Sequence, residues 1–183
     1  LFHYWHARED LSPVARACKL PSTGIERLDF EAKFPIDERF SRPPNVDSTI
    51  RYRRGSLEIS AVEWKFSEPF GRPHPRLDPK YLEDPSLWKG LRALRTLARE
   101  ISPDDTQFNR FHAAQIVKHI LGLTVNHGLR GFRLLHVLGQ DTDRRLRDRQ
   151  IARALQHEHP VTRLLKHGRF AEHADLIHAG AGA

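Results

Sequence analysis

The 183-residue chain contains a single cysteine and no methionine. One cysteine, Cys18, excludes an internal disulfide and is typical of the reducing cytosol, so we expect a cytoplasmic protein. Methionine is absent even at position 1, and we therefore expect the chain to be trimmed or incomplete at its start. No run of about 18 apolar residues occurs, which argues against a membrane span.

The sequence also lacks the motifs of several enzyme classes. It contains no P-loop, no GxGxxG, no CxxC pair and no HExxH, so nucleotide-binding loops and zinc sites are not expected. No serine or cysteine stands beside a matching base, which argues against nucleophilic catalysis by the side chain.

Positive charge is what the chain has in excess. The net charge is +7 at pH 7 and the isoelectric point is near 10.0. An excess of this size favours an anionic partner, and nucleic acid is the commonest one. The alternative is a basic protein with no specific anionic partner.

The first third of the chain predicts one helix and three strands. Residues 9–20 have the pattern of a short helix, whereas residues 24–36 alternate apolar and charged side chains as a strand does. Two more strands are predicted at 46–53 and 57–66, joined by a tight turn at Gly55, which can adopt a positive φ.

The rest of the chain predicts two helices, one strand and a tail. The helices are expected at 86–101 and 106–123, and an apolar strand at 131–139. The fold class is therefore α/β, with a mixed sheet of about four strands and flanking helices. We expect a core over 1–139 and a basic tail over 140–183 that is helical or partly disordered.

Two carboxylates and an amine meet in the predicted hairpin. Asp47 and Glu63 both lie eight residues from Gly55, so a hairpin centred there sets them opposite each other on one face. Lys65 lies two residues beyond Glu63 and points the same way. A shift of one residue in the register would put Asp47 on the opposite face.

Paired carboxylates of this kind predict a divalent-metal site. Their mutual repulsion is relieved by a cation, and oxygen ligands with room for water suit Mg²⁺ or Mn²⁺. Such an ion activates water and polarises a phosphodiester, while an ammonium group orients the water and offsets developing charge. The alternative is a hairpin without a functional site, whose charged side chains lie on its solvent-exposed face.

The spacing of these residues resembles the PD-(D/E)XK nuclease superfamily. The motif-like residues are Asp47 and, after fifteen intervening residues, Glu63-Trp64-Lys65 at the end of an apolar strand. The sequence around them resembles a bacterial branch of restriction-endonuclease-like proteins. The resemblance covers roughly residues 28–138 and includes the order helix, three strands, helix, strand. Asn45-Val46-Asp47 replaces the Pro-Asp pair, so only the aspartate is carried over.

The resemblance implies Mg²⁺-dependent cleavage of DNA. Asp47 and Glu63 would be the metal ligands, and Lys65 would lie near the attacking water. Two further residues are weaker candidates. Glu31 is a possible third carboxylate for the metal or else a solvent-facing strand residue, and Gln115 could position water or a phosphate from its helix.

Arginines supply candidate contacts to the phosphates of a nucleic acid. Arg92, Arg95 and Arg99 form a basic stripe on a predicted helix, and Arg144 and Arg145 begin the arginine-rich tail. Solvated charged faces are the alternative interpretation of both groups.

We therefore predict a Mg²⁺- or Mn²⁺-dependent endonuclease acting on DNA. The alternative is a non-catalytic nucleic-acid-binding protein that retains the nuclease fold. Cutting both strands of a duplex would favour a homodimer.

Overall fold

A five-stranded mixed sheet is the centre of the described structure. The computed structural model describes residues 10–65, 76–105, 108, 112–138 and 162–166. The strands are β1 (Ile25–Lys33), β2 (Asn45–Tyr52), β3 (Ile59–Lys65), β4 (Phe132–Leu138) and β5 (Thr162–Lys166).

Helices flank this sheet. They are α1 (Ser12–Ala17), α2 (Lys80–Glu83), a 3-10 helix (Pro85–Trp88), α3 (Arg92–Glu100) and α4 (Ala113–His127). Among the described residues, none of these helices is long and apolar enough to cross a membrane.

The strands lie in sequence order across the sheet, from β1 to β5. β1, β2 and β3 form an antiparallel meander, while β4 runs parallel to β3 and β5 parallel to β4. The predicted mixed sheet with flanking helices is confirmed, but it has five strands instead of about four. The additional strand, β5, lies inside 140–183, for which a helical or partly disordered tail was predicted.

Hydrophobic clusters cover both faces of the sheet. β3 shows the division most clearly, since Ile59 and Ala61 pack into the cluster with α3 and α4, whereas Val62 and Trp64 pack into the cluster with α1. Alternate residues of a strand point to opposite faces, and burial of both faces explains why β3 reads as a nearly continuous apolar run.

β1 changes face at Glu31. This residue has a φ of 52°, a left-handed conformation that is uncommon outside glycine. Leu28 and Phe30 before it pack with the α1 cluster, whereas Ala32 and Phe34 after it pack with the cluster of α3 and α4. The single buried face predicted for residues 24–36 is therefore wrong, because the chain rotates at residue 31.

The helix predicted over 86–101 is interrupted. The segment begins as a 3-10 helix capped by Asp84, whose Oδ1 accepts a 2.8 Å hydrogen bond from the Ser86 N–H. Gly90 then adopts a φ of 77°, and α3 starts afterwards at Arg92. A Cβ on Gly90 would lie 2.6 Å from Leu129 Cδ1, so the break also lets the chain approach a distant residue closely.

The helix predicted over 106–123 lies further along the chain than expected. α4 runs from Ala113 to His127 and ends at Gly128, which has a φ of 67° and lacks the Cβ that disfavours this conformation. Within the helix, Gly122 packs directly on the segment after β1, since an added Cβ would lie 2.7 Å from the Phe34 carbonyl oxygen. This contact fixes α4 against the sheet.

Candidate active site

The hairpin of β2 and β3 has the register that a turn centred on Gly55 predicts. Gly55 has a φ of 114°, and the last paired residues toward the open end are Ser48 and Val62. Continuing that register by one residue sets Asp47 opposite Glu63. The two carboxylates therefore originate from positions that face each other when the register is extended beyond its last pair.

The carboxylate of Asp47 is tied to the strand that carries Glu63. Its Oδ2 accepts a 2.7 Å hydrogen bond from the main-chain N–H of Trp64. The Trp64 indole Nε1 donates a second bond, of 2.9 Å, to Ser48 Oγ. Trp64 thus holds two successive residues of β2, and Asp47 is half-buried.

Glu63 is enclosed beneath α4. Its side chain is 1% exposed, and Oε1 accepts a 2.6 Å hydrogen bond from Gln115 Nε2. Burying a carboxylate costs several kcal/mol unless polar groups compensate. Gln115 lies in the first turn of α4, so the positive end of the helix dipole also favours an anion here.

Histidines surround the pair formed by Glu63 and Gln115. His119 Nδ1 lies 3.9 Å from Glu63 Oε2, and His112 Nδ1 lies 3.1 Å from Gln115 Oε1. His136 is 1% exposed and stands beside Glu63 in the parallel register of β3 and β4. Glu63, His119 and His136 are buried, whereas His112 and Gln115 are half-buried.

Sequence reasoning did not place these histidines at the site. His112 and His119 share a helix face with Gln115 at spacings of three and four residues, which is a signal that was available. His136 gave no such signal, since its pairing with Glu63 depends on the register of two strands joined by a long crossover.

Glu31 lies at the edge of this arrangement. The neighbouring pairs of β1 and β2, Phe30 with Ser48 and Ala32 with Val46, bracket Glu31 and Asp47. The Glu31 side chain is exposed and accepts a hydrogen bond from Asn45 Nδ2. It is thus near Asp47 along the sheet, with its carboxylate directed to Asn45.

The basic candidates are distributed over several parts of the chain. Lys65 is the last residue of β3, paired with Leu138, and its side chain lies outside the described part of the structure, as do Arg144 and Arg145. On α3, Arg92 and Arg99 are exposed and Arg95 is half-buried.

A further cation lies on the same helix as Gln115. Lys118 follows Gln115 by three residues and is half-buried. Burial lowers the pKa of its ammonium group, and the charge of Lys80 lowers the pKa further.

The donor set suits a hard divalent cation. No cage of three or more His, Cys, Asp or Glu side chains exists among the described residues. Mg²⁺ does not need one, because it is usually held by one or two carboxylates together with waters and substrate phosphates. Asp47 and Glu63 supply carboxylate oxygens from facing positions, so the residues fit such an ion.

Comparison with known proteins supplies the family. No curated protein and no solved structure matches the chain. One protein family does match, over residues 1–177, which is nearly the whole chain. A restriction-endonuclease family agrees with the α/β fold of the chain. The chain belongs to the family described as "Restriction Endonuclease associating with ARP".

Proposed function

We propose that this protein is a divalent-metal-dependent nuclease that hydrolyses phosphodiester bonds of DNA. The observation that supports the proposal is the hairpin register, whose last pair is Ser48 with Val62 and which, continued by one residue, sets Asp47 opposite Glu63. Membership of a restriction-endonuclease family supports it, since such enzymes act on DNA. The net charge of +7 suits the same polyanion.

Asp47 and Glu63 would hold Mg²⁺ or Mn²⁺. Mg²⁺ bound there would lower the pKa of a coordinated water and polarise the scissile phosphate. Gln115 holds the carboxylate of Glu63, while the N–H of Trp64 holds that of Asp47. Lys65 follows Glu63 by two residues in β3, and its ammonium group would orient the water and offset negative charge on the phosphate.

The exposed arginines of α3 would contact the phosphate backbone beside the cleaved bond. Arg92 and Arg99 are free to reach solvent and carry no sequence-reading role in this proposal, because contacts to phosphates position a protein without specifying bases. Arg95, Arg144 and Arg145 are candidates for the same role.

Plasmid nicking tests the proposed activity. Glu63→Ala and Lys65→Ala should abolish Mg²⁺-dependent relaxation of supercoiled DNA, while DNA binding in EDTA stays close to that of the native protein. Glu26→Ala and Lys89→Ala remove the same charges at exposed positions and should leave nicking unchanged. Full cleavage by either site variant would refute the assignment. Binding without nicking by the native protein, in Mg²⁺ and in Mn²⁺, would favour a non-catalytic DNA-binding protein.

We also propose that the protein acts together with ARP, as the family description states for its members. The two purified proteins should elute together on size exclusion at micromolar concentration. Separate elution of the two proteins, with and without DNA, would contradict the association.

Cleavage of both strands of a duplex would require two active sites, and we propose that two copies of the chain bind one DNA molecule. Sedimentation of the protein with a short duplex should give a complex of two chains per duplex. A complex of one chain per duplex that still makes double-strand breaks would argue against it.

A further inference from the structure

Gln115 connects Glu63 to His112. One end of the Gln115 amide donates a 2.6 Å hydrogen bond from Nε2 to Glu63 Oε1. The other end, Oε1, lies 3.1 Å from His112 Nδ1. His112 immediately precedes α4, and its carbonyl oxygen accepts a 3.0 Å hydrogen bond from the Gln115 N–H. The two residues are therefore joined through both main chain and side chain.

The chemistry of the three groups fixes their orientation. A carboxylate that binds a metal ion is ionised and offers only acceptors, so the Gln115 atom facing it must be the amide nitrogen. The amide oxygen then faces His112, and an amide oxygen also accepts only. His112 Nδ1 must therefore carry a proton, which assigns the histidine tautomer.

We propose that His112 is a positioning residue that acts on Glu63 through Gln115. Its Nδ1–H holds the amide oxygen, which prevents the amide from rotating and directs Nε2 to the carboxylate. The His112 side chain makes no capping hydrogen bond to the first turn of α4, which is the usual use of a polar residue at this position. This inference rests on the proposed function, since Glu63 is treated as a metal ligand.

Loss of the His112 contact has a specific consequence. Without it the Gln115 amide can rotate, and in the reversed orientation its oxygen would oppose the carboxylate of Glu63. The carboxylate would then be less well held for the ion. Groups that orient metal ligands typically contribute about 10- to 100-fold to metal affinity or activity.

Substitution of His112 separates this role from packing. Asn can place a donor where Nδ1–H lies, so His112→Asn should keep a Mg²⁺ requirement within about 3-fold of the native value. His112→Phe fills the space without a donor and should raise the Mg²⁺ concentration for half-maximal nicking by about 10-fold or more. Equal behaviour of the two variants would overturn the positioning role.

A double variant tests whether His112 acts through Gln115. His112→Phe combined with Gln115→Leu should be no worse than Gln115→Leu alone, because the contact that His112 supports is already gone. If the effects of the two single substitutions on the Mg²⁺ requirement multiply in the double variant, His112 and Gln115 act independently, which would contradict the proposal that His112 acts through Gln115. Thermal melting of each variant separates loss of fold from loss of metal response.

Nitrogen NMR of the imidazole gives a readout without DNA or metal. In the native protein His112 Nδ1 should be the protonated, pyrrole-type nitrogen, and a pyridine-type Nδ1 would overturn the assignment. Failure of the proposed function is distinct, since Glu63→Gln would then nick DNA like the native protein. If Glu63→Gln abolishes nicking while His112→Phe leaves the Mg²⁺ requirement unchanged, the proposed function stands and only the positioning role of His112 is wrong.

Discussion

Asp47 Oδ2 accepts a 2.7 Å hydrogen bond from the main-chain N–H of Trp64, the residue that separates Glu63 from Lys65. The last paired residues of the two strands are Ser48 and Val62, so a side chain one residue beyond Ser48 in β2 binds the main chain two residues beyond Val62 in β3. Asp47 stabilises the open end of the hairpin through this bond, and in the proposed site its carboxylate would also bind a metal ion. The two roles are separable by substitution.

Asp47→Asn and Asp47→Ala should differ in stability but agree in activity. Asparagine keeps an oxygen that can accept from Trp64, whereas alanine leaves that partly buried N–H without this acceptor and should cost about 1–3 kcal/mol. Both variants lose the ligand charge, so both should lose Mg²⁺-dependent nicking. Urea unfolding measures the first effect and plasmid relaxation the second. Native nicking by Asp47→Asn would rule out a ligand role for this residue.

Gly122→Ala tests the contact that holds α4 against the sheet. In an open helix interior the change would stabilise by about 1 kcal/mol through helix propensity. Here the added Cβ would lie 2.7 Å from the Phe34 carbonyl oxygen, so we expect a destabilisation of about 1–3 kcal/mol. Val125→Ala, on the 50% exposed position of the same helix, should stay within about 0.5 kcal/mol. A more stable Gly122→Ala protein would show that α4 packs less closely than described.

Asp84 should make stability depend on pH in the acid range. Hydrogen bonds from Ser86 and then from Arg39 lower its pKa to about 2, below the value of about 3.9 expected in the unfolded chain. Its stabilising effect is therefore complete above about pH 4 and is lost as the pH falls through about 2.

Urea unfolding of Asp84→Asn tests this dependence. The variant should be less stable than the native protein at pH 7, and the difference should shrink at pH 3. Glu83 is the neighbouring exposed carboxylate, and the stability difference between Glu83→Gln and the native protein should not shrink between pH 7 and pH 3. A difference for Asp84→Asn that stays constant between pH 7 and pH 3 would contradict the assigned pKa.

The arginines of α3 should appear in the salt dependence of DNA binding. Each phosphate contact contributes about 0.9 to the slope of log K against log salt, so Arg92→Ala with Arg99→Ala should reduce the slope by about 2. Arg16→Ala with Arg54→Ala, which removes two exposed arginines elsewhere, should leave it unchanged. An identical slope in both double variants would mean that α3 does not contact the phosphate backbone.

Local sequence patterns predicted much of the fold. The symmetry of the hairpin about Gly55 gave the register of β2 and β3, because a tight turn fixes the pairing of the strands that it joins. The alternation of apolar and charged residues predicted that β1 is a strand. The order of the predicted helices and strands along the chain predicted the mixed sheet. The helix containing Gln115 was expected near the site on resemblance, and Gln115 does contact Glu63.

Contacts between distant parts of the chain determine the structural features that the sequence patterns do not predict. The change of face at Glu31 is shared by β2, where Ile50 packs with the α1 cluster and Val46 with the cluster of α3 and α4. The break at Gly90 accommodates Leu129, almost forty residues away. β5 is a short segment whose pairing with β4 leaves no periodic signal. The alignment of His136 with Glu63 likewise depends on a parallel register set by the crossover.

A crystal structure of the protein with Mn²⁺ tests the central claim most directly. The anomalous difference map should show one peak bonded to an oxygen of Asp47 and an oxygen of Glu63, and the peak should be absent from Glu63→Gln crystals grown in the same solution. A map in which Mn²⁺ occupies another position, or in which the Asp47 carboxylate lies on the other side of the sheet from Glu63, would contradict the account.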